Sequence, residues 1–264
     1  MAKIYAIANQ KGGVGKSTTC LCLGAALGEE NKLVLLIDFD PQAGLTASLG
    51  FKPDSFSGAK TIYEALMDQV SLAEVIIKTN IERVDLVPSK LDLAGAEAEL
   101  MNQREWHKAL RRVLTQIKDS DYDYVLIDCP PSLGVLTTNA LVAAHQVIIP
   151  VQVEYLAMMG LKQLNQIIEG IRKRSNPQLK ARILRTMRDR RTLHTKEVSE
   201  ELEKIFGAQV YKAIINKTIK FADATYAGEP ILTFASRSEA AEAYRNLAKE
   251  VLNHEQKEKT NQGS

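Results

Sequence analysis

The sequence predicts an α/β fold, a doubly wound, mostly parallel β-sheet flanked by helices on both faces. Three observations carry that expectation. Runs of consecutive aliphatic residues alternate with amphipathic stretches, as strands buried on both faces alternate with the helices that cover them. A glycine-rich turn, Gly12 to Gly15, joins the first aliphatic run to a helix-forming segment. Two further aliphatic runs end in aspartate, at Asp38 and Asp128, and in such sheets the carboxyl ends of the strands face one crevice.

Taken in order, residues 4–8 read as a buried strand and 16–28 as the first helix. Leu21, Leu23, Ala25, Ala26 and Leu27 can pack on the sheet, and Gly28 reads as the stop. Residues 33–37 are five consecutive aliphatics, a strand buried on both faces. Residues 43–60, with their glycines, serines and Pro53, read as a mobile connection. Short helices are expected near 61–67 and 72–76, and a strand at 84–87 before Pro88. Residues 91–118 read as helical, in one piece or two, with Trp106, Leu110, Val113, Leu114 and Ile117 on the apolar face. A tryptophan so placed fills core more often than it stacks on a ligand. A strand over 122–127 runs into Asp128; a helix over 137–144 follows, then a strand over 146–151 closed by Pro150. A long amphipathic helix at 156–172, a strand at 182–186 and a helix at 192–206 come next, the last with Val198, Leu202 and Ile205 facing in. A strand at 210–215 and a closing helix at 239–252 complete the fold.

The 264 residues are expected to form a single domain over 1–253, with 254–264 (HEQKEKTNQGS) a polar, disordered tail. Composition is that of an ordinary soluble globular protein, 45% hydrophobic and 25% charged. No apolar run approaches the roughly 20 residues that span a bilayer, and no signal peptide precedes Lys3, so a cytoplasmic protein is expected. Cys20, Cys22 and Cys129 are an odd number without metal-ligand spacing, and the first two read as small buried thiols of the first helix. Net charge is only +2, yet residues 172–196 hold ten Lys and Arg against one acid, Asp189. A basic island on an acidic body is an electrostatic footprint for a polyanion.

The chemistry concentrates in residues 4–19, IYAIANQKGGVGKSTT. Strand, glycine turn and helix start make a phosphate cradle. Glycines let consecutive backbone N–H groups turn inward, and the helix N-terminus adds partial positive charge. The backbone of Gly12, Gly13, Val14, Gly15, Lys16, Ser17 and Thr18 would wrap a nucleotide's phosphates. Lys16 would neutralise the β- and γ-phosphates, and the Ser17 hydroxyl would ligate Mg²⁺. A glycine turn alone could be an ordinary strand–helix connection. Two lysines, three glycines and a Ser-Thr pair behind an apolar strand favour the nucleotide.

The general P-loop pattern places a glycine where Gln10 stands, and a second lysine, Lys11, follows to give KGGVGKST. This is a deviant Walker A motif, and with it the chain resembles the ParA/MinD family of dimerising ATPases. The likeness continues through DFDPQ, YVLIDCPPSLG, TMRDRRT and AGEPILTFASRSEAAEAYRNLAKEV. It implies a P-loop NTPase fold with ATP and Mg²⁺ as cofactors. By position, Asp128 matches the Walker B aspartate that holds the metal's water shell, and Asp40 the residue that orients the attacking water. Ser17, Asp40 and Asp128 thus form the implied metal set, and Asp38 supports the loop that carries Asp40. Lys11, Lys16 and Asp40 are the implied catalytic residues, Lys11 reaching across a nucleotide-sandwich dimer to the partner's phosphates. ATP would then favour a homodimer and hydrolysis release it.

Branches of this superfamily differ in what they bind. MinD-like members end in a basic amphipathic helix for the membrane surface, and the chain after Leu252 has no apolar residue. Iron–sulfur carriers need cysteines at the dimer axis, which Cys20, Cys22 and Cys129 do not match. The ParA/Soj branch binds double-stranded DNA without sequence preference through basic residues. Arg191 and Lys220 match its DNA-contacting positions, with Arg188, Arg190, Lys196 and Lys217 close enough to contribute. Any one of these could equally be a solvated surface charge. The resemblance therefore implies a nucleoid-associated ATPase that partitions chromosome or plasmid DNA, its hydrolysis stimulated by a ParB-like partner or other adaptor. The alternatives are a positioner of a protein cargo or microcompartment and a MinD-like membrane regulator.

Overall fold

The computed structural model describes residues 2–52, 59–118, 120–154, 157–189 and 193–262, with side chains among them except at 157–159, 193–196 and 257–262. Its strands are β1 (Lys3–Ile7), β2 (Val34–Asp38), β3 (Ile77–Lys78), β4 (Val84–Val87), β5 (Tyr124–Asp128), β6 (Gln146–Gln152), β7 (Lys180–Arg188) and β8 (Val210–Asn216). They form one sheet in the order β3-β4-β2-β5-β1-β6-β7-β8, parallel throughout except for the short edge strand β3. The chain builds outward on one side of β1, returns through β5, then builds outward on the other. β1 therefore stands at the topological switch point, where ligands bind in doubly wound sheets. Register aligns the strand ends there: Ile7 pairs with Asp128, and Asp128 with Asp38.

Because side chains alternate along a strand, the buried runs feed two cores. Ala6, Leu35, Ile37, Val125, Ile127 and Ile149 point to one face. It is covered by α3 (Ile62–Leu66), α4 (Leu93–Met101), α5 (Ala109–Leu114), α6 (Val135–Ala143), α7 (Ala157–Arg174) and α8 (Leu193–Phe206). Tyr5, Ile7, Val34, Leu36, Tyr124, Leu126 and Ile148 point to the other. There lie α1 (Lys16–Glu29), α2 (Gly44–Ser48), α9 (Lys220–Ala227), α10 (Ile231–Phe234) and α11 (Glu239–Gln262).

Several expectations are corrected. The connection after β2 is helical at α2, with Leu45, Thr46 and Ser48 buried; residues 53–58 lie outside the described residues. Of the two readings of 91–118 the divided one is observed: α4 ends at Met101, and Glu105 (φ 58°) starts a 3₁₀ turn that leads into α5. Ile205 is 55% exposed rather than core-facing. Gly28 is not the residue that ends α1, for the left-handed residue there is Asn31 (φ 61°). A side chain at Gly28 would instead lie 2.8 Å from the Glu82 carbonyl, so its smallness serves close packing. Pro150 does not close β6, which runs on to Gln152. Its carbonyl faces Asn9, on the side where β1 has already left the ladder, so its missing N–H costs no ladder bond. α9 and α10 occupy a stretch for which the sequence reading assigned no element. In place of a disordered tail from 254, α11 continues to Gln262. Its Glu255 accepts the hydroxyls of Tyr5 in the middle of β1 and Tyr124 at the start of β5, at 2.7 and 2.8 Å.

Candidate functional site

The loop between β1 and α1 has the geometry of a cradle. Gly13 (φ 71°) and Gly15 (φ 86°) lie in the left-handed region, which residues with a Cβ enter only with strain. A Cβ added at Gly12, Gly13 or Gly15 would meet nothing within 4 Å, so open space lies beside this backbone. Gly15 precedes α1, whose first turn carries neither an acidic residue nor a side-chain cap, leaving its N–H groups to an anion. Lys16 is buried there, with Ser17 and Thr18 half-buried beside it. Two neighbours hold the loop. Thr186 of β7 donates to the Val14 carbonyl at 2.9 Å, and Asn9 donates to the Pro150 carbonyl while accepting the Lys11 N–H at 3.0 Å.

Three aspartates converge on this cradle. Asp38 and Asp128 are fully buried neighbours at the ends of β2 and β5. Asp38 is well partnered: it accepts the Thr46 N–H and hydroxyl at 2.8 and 2.7 Å and the Asp40 N–H at 3.3 Å. Burial nonetheless pushes its carboxyl up to about 6, the hydrogen bonds from Thr46 and Asp40 opposing the shift. Asp128 has no hydrogen-bond partner on either oxygen among the described residues. Burial first and the Asp38 charge second raise its carboxyl well above the usual range, with Ser17 and the Lys16 ammonium acting the other way. Asp40 begins the loop into α2. Its Oδ1 accepts the Gln42 N–H at 2.9 Å, and Ala43 (φ 53°) turns the chain so that α2 starts beside Ser17.

An orphaned, buried carboxylate beside a hydroxyl and a second carboxylate is a hard, all-oxygen donor set. Such a set fits Mg²⁺, which also takes phosphate oxygens and water to complete its shell. The residues present fit the implied ion.

Lys11 points elsewhere. Its Nζ lies 2.8 Å from Glu154 Oε2 and 2.9 Å from Gln152 Oε1 of the same chain, just past the end of β6. The sequence reading did not single out Gln152 or Glu154, although the rule that found Asp38 and Asp128, chemistry at the carboxyl end of a parallel strand, applies to them. Thr46 and Thr186 were missed for want of any local signal.

The basic island does not form one surface. Arg185 is buried, donating to Ser199 Oγ, Glu203 and the Tyr211 carbonyl. Arg182 donates to the Ala208 carbonyl and lies over the Tyr211 ring, and Arg172 donates to the Leu179 carbonyl. These three tie β7 and α7 to their neighbours. Of the six expected DNA contacts, Arg188, Lys217 and Lys220 come together, lining a cavity of about 560 Å³ with Asn216 at the carboxyl ends of β7 and β8. Lys217 and Lys220 are exposed, and Arg188 Nε donates to Asn216 Oδ1 at 3.0 Å. Arg190 and Arg191 lie outside the described residues, as does the side chain of Lys196. No described helix is long and apolar enough to cross a membrane.

Comparison with known proteins gives consistent relatives. A family model described as an AAA domain matches residues 2–181. The sporulation initiation inhibitor protein Soj of Bacillus subtilis is 44% identical over 252 residues, covering 95% of this chain and 98% of its own length. The chromosome partitioning protein ParA of Myxococcus xanthus is 41% identical over 253 residues, covering 96% and 88%. Among solved structures, a cobyrinic acid a,c-diamide synthase from Mycobacterium smegmatis with bound ATP analog and magnesium matches with a TM-score of 0.85. It is 39% identical, covering 97% of this chain and 96% of its own.

Proposed function

Since the chain belongs to the AAA-domain family that includes Soj and ParA, we propose that it is a DNA-partition ATPase working as an ATP-gated dimer. It hydrolyses ATP to ADP and phosphate with Mg²⁺. The ATP-bound dimer binds double-stranded DNA on the nucleoid without sequence preference, and a ParB-like or other adaptor protein stimulates hydrolysis and release. Soj and ParA, which support partition, share more of the sequence than the M. smegmatis neighbour named as a synthase.

The observation that carries this reading is the in-register pair Asp38–Asp128 set beside the glycine cradle. The backbone N–H groups from Gly12 to Thr18 hold the phosphates, and Lys16 places its ammonium against the β- and γ-phosphates. Ser17, Asp128 and Asp40 would hold Mg²⁺, which would supply charge neutralisation on the phosphates. Asp40 orients the attacking water with Oδ2, since Oδ1 is engaged by Gln42. Lys11, brought from the facing subunit, stabilises the charge that builds as the γ-phosphoryl leaves. Arg188, Lys217 and Lys220, with Arg190, Arg191 and Lys196, contact DNA phosphates.

The test is sedimentation of Asp40→Ala at saturating ATP and Mg²⁺, with DNA or anionic vesicles added. Expected are dimers that pellet with DNA and not with vesicles, and turnover lowered by about 100-fold or more. Lys16→Ala should give neither dimer nor DNA binding. Asp40→Ala that stays a single subunit at saturating ATP defeats the reading, and dimers that pellet with vesicles alone move it to a membrane regulator.

A further inference from the structure

The roles above leave unexplained the two side chains on which Lys11 rests. Lys11 Nζ sits within hydrogen-bonding distance of both Glu154 Oε2 and Gln152 Oε1, and Gln152 Nε2 donates to Glu154 Oε1, so the three side chains close a ring. The backbone beneath is clamped as well. Asn9, itself buried, ties the Lys11 N–H and the Pro150 carbonyl together, which fixes the loop against the end of β6. One ammonium cannot lie on its own Glu154 and on the phosphates of a facing subunit at once.

Resting on the reading that Lys11 acts across the dimer, we propose that Glu154 and Gln152 are positioning residues that store Lys11 in cis, so that the dimer closes only when a nucleotide draws the ammonium off the Glu154 carboxylate. The exchange replaces one anion by another. A triphosphate, with its terminal phosphoryl and higher charge, competes well for the ammonium; a diphosphate competes poorly. The latch lowers the dimer constant by the same factor with either nucleotide, so the ATP dimer still closes while the weaker ADP dimer falls short.

Side-chain exposures of 45% and 50% make this a solvent-screened pair, the kind that biases an equilibrium by about two- to fivefold. Each dimer opens two latches, so the dimer constant should shift by the square, about 4- to 25-fold.

The experiment measures dimer dissociation constants by sedimentation equilibrium at saturating ATP in the Asp40→Ala background, crossing Glu154→Ala with Lys11→Ala. Glu154→Ala is expected to tighten the dimer about 4- to 25-fold when Lys11 is present and to change nothing when it is absent. If Lys11→Ala weakens the dimer while Glu154→Ala has no effect, or the same effect with and without Lys11, the latch is overturned and the trans role of Lys11 survives. A Lys11→Ala dimer as tight as its parent removes the trans role, and the latch with it. A second measurement needs no dimer: acetylation of Lys11 in the nucleotide-free monomer should be faster in Glu154→Gln than in the parent, and equal rates overturn the storage of Lys11 by the Glu154 charge.

Discussion

Asp128 carries the clearest tension in the molecule. Its two oxygens are buried without a partner among the described residues, next to an Asp38 carboxyl already pushed up to about 6. A carboxyl whose folded pKa is raised favours the fold when protonated, and that stability is lost as pH rises through the folded value. The nucleotide-free protein should therefore lose stability progressively as pH rises from about 4, the ordinary carboxyl value, and Asp128→Asn should relieve that loss. We expect its nucleotide-free melting temperature to exceed the parent's by about 4–8 °C at pH 7.5, for roughly 2 kcal/mol, while hydrolysis is lost. The gap should shrink as pH falls and close below about pH 4, where the carboxyl is protonated in both states. His145 opposes this trend in both proteins: burial lowers its imidazole below the ordinary value, so its share of stability falls with falling pH. Taking the difference between parent and variant cancels it. A gap that does not change with pH would mean that Asp128 is not the ionising group.

At the scale of elements, two segments expected to be loose prove to be built in. The loop after β2 is held because Thr46 of α2 gives both its N–H and its hydroxyl to Asp38, then accepts the Ser89 N–H at 3.1 Å. Asp40 is thus carried between a buried aspartate and a pinned helix, a geometry in which a small shift of α2 moves the carboxylate proposed to orient water. The last turns of α11 are held by Glu255, on which the Tyr5 and Tyr124 hydroxyls converge. Burial, reinforced by the Glu255 charge, raises both phenols, so they stay protonated donors. Glu255→Ala would leave two part-buried hydroxyls without their acceptor, at a cost of about 1–3 kcal/mol, or a fall of about 2–10 °C in melting temperature. Amide exchange in α11 should accelerate with it. An unchanged melting curve would show the tail to be undocked in solution.

For the whole molecule, the question is where the positive charge goes. The +9 window at 172–196 invites a single DNA-binding face, but Arg172, Arg182 and Arg185 are committed to internal contacts. The cations proposed to contact DNA come together at the carboxyl ends of β7 and β8. Lys217→Ala and Lys220→Ala should each lower the slope of log affinity for DNA against log salt by about 0.9, uniformly across sequences. A slope that both variants leave unchanged would exclude these residues as phosphate contacts. Charge counting could not say which of the basic side chains reach the surface, since a strand turns its successive side chains to opposite faces. It sent Arg185 into the protein while leaving Arg188 at the strand end.

By itself the sequence determined whatever depends on neighbours along the chain. The glycine cradle, Lys16 and Ser17 at the start of a helix, and aspartates at the ends of aliphatic strands follow from covalent spacing and strand periodicity. Only the tertiary structure decided which of these meet. The Asp38–Asp128 pairing depends on the register of strands far apart in sequence. Lys11 finds Glu154 143 residues away, and Glu255 finds Tyr5 250 residues away. Contacts of that separation are set by sheet order and packing, and no local pattern encodes them.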